Sequence, residues 1–117
     1  MLNHINAETL ADLREDGDDL LIDLIDLFFR ETPERLRVLT AALAAGDRAL
    51  VERSTHTLKG TAATFGADAM RDVAAEAETA AHAGQLDRVA HLLPTLQQEA
   101  DRVHEALATQ RARLAQR

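Results

Sequence analysis

His56 stands apart from the other histidines of this chain. It lies in the segment DRALVERSTHTLKGTAATFG, residues 47–66, with Lys59 at i+3 and Gly60 at i+4. Wound at ~100° per residue, Val51, Thr55, Leu58, Ala62 and Phe65 fall on one apolar stripe. That stripe is the predicted buried seam, and His56 lies off it. The row running on from the histidine is Gly60, Ala63 and Ala67. A glycine inside a helix costs about 1 kcal/mol relative to alanine. An exposed helix face ordinarily carries long charged side chains, as at Glu52 and Arg53 nearby. Here the row is cut down to almost nothing, which implies clearance for something large to approach the imidazole.

Lys59 is the sole lysine of the chain, and the other twelve basic residues are arginines. An ammonium is a compact charge on a flexible stem, able to follow an anionic group that arrives and leaves. An exposed imidazole is largely neutral at pH 7 and so already nucleophilic without a catalytic triad. These are the requirements of phosphoryl transfer, which depends on positioning and charge neutralisation. No phosphate-cradling glycine loop, nucleotide site or Mg²⁺ site is recognisable in the sequence. The reading is a chain that carries a phosphoryl group on His56, with a partner supplying the metal and most of the catalysis.

The elements that must hold these residues are helices. Alanine and leucine dominate, Val and Ile are few, and Trp, Tyr and Cys are absent. Such a composition favours helix and disfavours strand. About six helical pieces are predicted. Asn6 caps a short helix through Leu10 and Leu13. Asp18 and Asp19 open an apolar helix through Leu20, Leu21, Leu24, Ile25, Leu27 and Phe28. Thr32-Pro33 reads as an N-cap with proline at the first helical position, or as a kink within one longer helix ending at Gly46. Asp47 caps the histidine helix, Asp68 the next. The last begins near Leu86, with the stripe Val89, Leu93, Leu96, Ala100, Val103, Leu107 and Leu114, and Pro94 should kink or split it. Amphipathic helices joined by short turns make an all-α bundle.

Length and charge exclude other classes. The 117 residues suit one domain over 1–117. Lys+Arg 13 against Asp+Glu 20 leaves a net charge of −7. So acidic a chain is a poor match for nucleic acid, whose non-specific binding needs basic patches. Without cysteine, disulfides and zinc–thiolate sites are ruled out. No apolar run reaches the ~20 residues of a membrane span, and the start lacks a signal-peptide core. The expected location is the cytoplasm.

The run His56-Thr57-Leu58-Lys59-Gly60-Thr61-Ala62-Ala63-Thr64-Phe65-Gly66-Ala67 closely resembles the signature of histidine-containing phosphotransfer (HPt) domains. LIDLIDLFFRETPERLRVLTAALAAGD resembles the family's preceding helices, and AAEAETAAHAGQLD the helix after the motif. The resemblance implies an antiparallel four-helix bundle with additional short helices. It implies a phosphorelay carrier that takes a phosphoryl group from the aspartate of one response-regulator receiver domain and passes it to another. His56 takes the phosphoacceptor role, Lys59 the charge-stabilising role, and Gly60, with Ala63 and Ala67, the cleared docking surface. No cofactor of its own is implied, the receiver bringing Mg²⁺. Receiver domains and a hybrid sensor histidine kinase are the implied partners, and a monomer is expected. Two positions depart from the usual pattern: Thr55 precedes the histidine where alanine is common, and Ala77 precedes Glu78 where leucine is common.

Two further readings stay open: the phosphoacceptor domain of a chemotaxis-type or hybrid kinase, and a non-catalytic helical adaptor. His4, His82, His91 and His104 read as surface or boundary residues, and Glu15-Asp16-Gly17-Asp18-Asp19 as turn and cap chemistry. One of Phe28 and Phe29 must face outward or nearly so, available to a partner surface.

Overall fold

A computed structural model describes residues 4–116; the ends of the expected domain, residues 1–3 and 117, lie outside it. Five helices follow one another: α1 Ala7–Arg14, α2 Asp18–Ala45, α3 Arg48–Thr64, α4 Asp68–His82 and α5 Leu86–Ala115. Turns of two or three residues join α2 to α5 in sequence, so consecutive long helices run antiparallel. Contacts of α2 with α3, α3 with α4, α4 with α5 and α5 with α2 close a four-membered ring. The result is an all-α four-helix bundle, 47 × 21 × 21 Å, with α1 packed against α2.

Leucine fills the bundle core and alanine brings the helices close. Leu21, Ile25, Phe28, Leu39, Val51, Leu58, Met70, Leu96, Val103 and Leu107 are all buried. On α4 the inward row is Ala74, Ala77, Ala80 and Ala81, each at most 3% exposed. Small residues let α3 and α4 approach, and that pair makes the most extensive contact in the molecule. Phe28 and Phe65 meet edge to face at 5.8 Å, closing the core between α2 and α3.

The predicted caps hold at Asn6, which accepts from the Thr9 amide at 2.9 Å, and at Asp47, which accepts from the Leu50 amide at 3.1 Å. Elsewhere the boundaries differ. Asp68 is the first residue of α4 and Ala67 its N-cap, so Asp68 serves the positive helix end by charge alone. At Thr32-Pro33 the longer-helix alternative holds: Thr32 is not an N-cap, and α2 runs unbroken through Pro33 to its cap at Gly46. Thr32 is buried instead, and its Oγ1 has no hydrogen-bond partner among the described residues. Pro94 likewise lies inside an unbroken α5. In both helices apolar residues on each side of the proline face the same core, Phe28 with Leu39 and Val89 with Leu96. Their shared burial outweighs the one helical hydrogen bond that each proline removes.

Gly66 sets the α3–α4 turn. Its φ is +62°, the left-handed region open to glycine, and α1 packs directly over it. The Asn6 amide donates to the Phe65 carbonyl at 3.2 Å, tying the start of the first helix to this turn.

Candidate functional site

The predicted seam of α3 is the buried one: Val51, Thr55, Leu58, Ala62 and Phe65 are at most 2% exposed. Thr55 fits there because its hydroxyl donates back to the Val51 and Glu52 carbonyls, both at 3.0 Å. With the seam fixed, His56 is turned outward, its side chain 68% exposed.

Glu78, from the middle of α4, completes the site. Its Oε2 lies 2.7 Å from His56 Nδ1 and its Oε1 lies 2.6 Å from Lys59 Nζ. One carboxylate therefore bridges the two residues singled out on α3. Ala77, buried at 1%, allows α4 to come close enough for this reach. Burial pushes the Glu78 carboxyl up, but hydrogen bonds from Lys59 and His56, with their charges, outweigh it and hold it below the ordinary value. Ionised, it only accepts hydrogen bonds, so Nδ1 carries the proton and donates. The lone pair of the neutral ring is then on Nε2, the exposed nitrogen. Glu78 thus selects the tautomer, aims the ring and anchors the lysine.

The cleared row is partly as predicted. Gly60 is exposed, and a Cβ built there would meet nothing within 4 Å. Ala63 is exposed beyond it. Ala67 is not part of this surface: it is 0% exposed, packed into the core. The helix ends at Thr64 and the Gly66 turn reverses the chain, so a periodicity extended past that point fails. A groove of about 220 Å³ lies between α2 and α3, lined by Leu24, Leu27, Phe28, Thr57 and Thr61 among others; His56 does not line it, although its neighbour Thr57 does. Leu20 and Leu27 on α2 are 42% exposed, more than other large apolar residues described. Of the two phenylalanines Phe28 is buried, while Phe29 is partly exposed and packs on His104 at 4.3 Å.

Sequence reasoning left Glu78 without a role. A signal for it was present: His56 and Glu78 lie eleven residues on either side of Ala67, the position about which α3 and α4 fold back. In an antiparallel helix pair, residues equidistant from the turn sit at the same level. No group of three or more His, Asp or Glu residues is placed to hold a metal ion among the described residues. No helix among them is long and apolar enough to cross a membrane.

An outward histidine on a four-helix bundle, oriented by a carboxylate and flanked by a lysine and a glycine, defines a class of phosphoryl-carrying protein. The chain belongs to the Hpt domain family, whose model matches residues 23–106. It is similar to "Phosphorelay protein LuxU" of Vibrio vulnificus strains YJ016 and CMCP6. Each is 33% identical over 113 residues, covering 95% of this chain and 92% of the relative. Its fold matches the crystal structure of histidine-containing phosphotransfer protein B (HptB) from Pseudomonas aeruginosa PAO1 with a TM-score of 0.90. The two are 32% identical, over 95% of this chain and 96% of that one.

Proposed function

We propose that this chain is a phosphorelay carrier that accepts a phosphoryl group on His56 Nε2 from a receiver-domain aspartate and returns it to the aspartate of another receiver. The observation that carries this reading is the His56–Glu78 contact. It leaves Nε2 as the nucleophilic nitrogen, pointing into solvent beside the glycine-cleared surface. The Nε2 lone pair attacks the phosphorus of the aspartyl phosphate. The N–P bond forms as the P–O bond breaks, and the aspartate leaves as a carboxylate with the electron pair. The ring then carries positive charge at Nδ1–H, opposite the Glu78 carboxylate, which stabilises it. Reversal on a second receiver restores the neutral ring.

Lys59 is within a turn of the reacting nitrogen and is held ready by Glu78. As the phosphoryl group arrives, the ammonium exchanges the carboxylate for the incoming oxygens. The receiver brings Mg²⁺ and most of the catalysis, and this chain acts as a carrier rather than an enzyme. The groove lined by Leu24, Leu27 and Thr57, the residue after the histidine, offers a receiver apolar surface. Receiver domains of a response regulator and of a hybrid sensor histidine kinase are the partners this reading names. The chain works as a cytoplasmic monomer, since each receiver needs the same face in turn.

Incubation with a phosphorylated receiver tests the reading. Acid-labile, base-stable label should appear on the chain, and His56→Gln should abolish it with an unchanged circular dichroism spectrum. Receiver-dependent label persisting in that variant overturns the assignment. Label that requires ATP and an added kinase domain, with none from any receiver, replaces it by the kinase-fed reading.

A further inference from the structure

The α3–α4 pair holds a second histidine–glutamate contact that the relay leaves unused. His82, the last residue of α4, places Nδ1 2.7 Å from Glu52 Oε1 on α3. The same ring atom of His56 meets Glu78 at the same distance. The two contacts are related by register. His56 and Glu78 are each eleven residues from Ala67, and Glu52 and His82 are each fifteen. Glu52 stands one turn before His56 on α3, and His82 one turn after Glu78 on α4. The local near-twofold axis of the helix pair thus exchanges histidine for glutamate. Each imidazole gives its Nδ1 proton to a carboxylate from the other helix and turns Nε2 to water.

His82 is the more open of the two, its side chain 77% exposed against 68% for His56. Only the three turn residues Ala83, Gly84 and Gln85 separate it from α5. A helix C-terminus disfavours an added anion. Here Arg48 offsets that tendency: its guanidinium donates to the Ala81 carbonyl at 3.1 Å and also to the His82 carbonyl. What His82 lacks is a glycine-cleared helical row and a lysine one turn on, so nothing around it provides for receiver docking. The remaining described histidines have neither feature. His104 packs on Phe29, while the side chains of His4 and of the exposed His91 make no hydrogen bond, ion pair or ring contact among the described residues.

We propose that His82 is a second phosphoacceptor, phosphorylated at Nε2 by small donors of the phosphoramidate or acyl phosphate class without a receiver. In the step, the Nε2 lone pair attacks phosphorus and an N–P bond forms. With phosphoramidate the P–N bond breaks and the protonated nitrogen leaves as ammonia with the electron pair. With an acyl phosphate the P–O bond breaks and a carboxylate leaves. Glu52 holds Nδ1–H throughout and faces the positive charge that develops on the ring.

The test is timed labelling of the full chain with phosphoramidate, with sites read by mass spectrometry and the modified nitrogen by ¹⁵N–³¹P NMR. His91 in the same molecule is the comparator for an imidazole with no carboxylate. Labelling of His82 at Nε2 about 5-fold or more faster than His91 is expected. Glu52→Gln should bring His82 down to the His91 rate, with the circular dichroism spectrum unchanged. His56→Gln should leave the His82 rate as it is. Equal rates at His82 and His91 in the wild-type chain, attachment at Nδ1, or no change in Glu52→Gln overturns the proposal. A parallel arm with a phosphorylated receiver separates it from the relay reading, since label from the receiver should appear on His56 alone. Loss of that label with His82 still reactive toward phosphoramidate defeats the relay reading and not this one.

Discussion

The ammonium of Lys59 rests 2.6 Å from the carboxylate of Glu78 on the neighbouring helix. The lysine is therefore stored rather than free, on the same carboxylate that orients His56. Any role it plays with a phosphoryl group involves exchanging one anion for another. A contact with modest net strength suits that exchange, because partly exposed ion pairs contribute little.

Lys59→Ala should slow phosphoryl acceptance from a receiver by roughly 5- to 50-fold, a loss of about 1–2 kcal/mol of transition-state stabilisation. Lys59→Arg should recover part of the rate, the charge being kept on a bulkier fork. Added salt should narrow the gap between wild type and Lys59→Ala. Single-turnover transfer at two ionic strengths checks this. Equal rates at low salt would return Lys59 to the ordinary surface residues.

Gly60→Ala should stabilise the free domain by up to ~1 kcal/mol, since a methyl there relieves the helix cost of glycine and meets no neighbour. The same methyl should slow transfer, and Gly60→Gln should slow it further by intruding where the receiver approaches. Urea melts and transfer rates measured on the same samples separate the two effects. A wild-type transfer rate in Gly60→Gln would make the clearance irrelevant.

Gly66→Ala should destabilise the domain by about 1–3 kcal/mol. At φ +62° the new Cβ would be strained, and it would fall on the Asn6 Cβ and lie 2.8 Å from Thr9 Oγ1. The first helix should detach before the bundle melts. Hydrogen exchange at residues 7–14, read beside the global urea midpoint, tests the order of events.

Acid should weaken the α3–α4 contact through Glu78. Its carboxyl titrates lower in the folded chain than its ordinary value of 4.5. The folded state therefore binds that proton less readily than the unfolded chain does. The stabilisation is fully present above the unfolded value and is lost as pH falls through the folded one. Glu78→Gln should remove this part of the pH dependence. It should also slow phosphoryl acceptance, because an amide no longer enforces the Nδ1–H tautomer. Stability measured from pH 7 to pH 3 in both proteins provides the comparison, and identical acid limbs would clear Glu78 of the role.

The sequence alone determined the helical class, the seam of α3, and the outward direction of His56. Those follow from composition, a 3.6-residue period and an expensive glycine, all of which act within one segment. Asn6 and Asp47 were legible as caps for the same reason: a cap is a contact between residues three apart. Where packing between segments decides, the reading failed or stayed open. Thr32 and Pro33 carry local marks of a helix start and left two readings open, and only the core on both sides decides for the one continuous α2. Ala67 continues the row of His56 only on an ideal helix, and the Gly66 turn sends it into the core. Glu78 and the His82–Glu52 pair depend on which residues of α3 and α4 stand at the same level. That register is set by the turn length and by the alanine row of α4, which lets the helices close until the carboxylates reach the imidazoles. Equal spacing about Ala67 marks which of these side chains stand at one level, but residues twenty-two and thirty apart meet only because that packing brings the helices together.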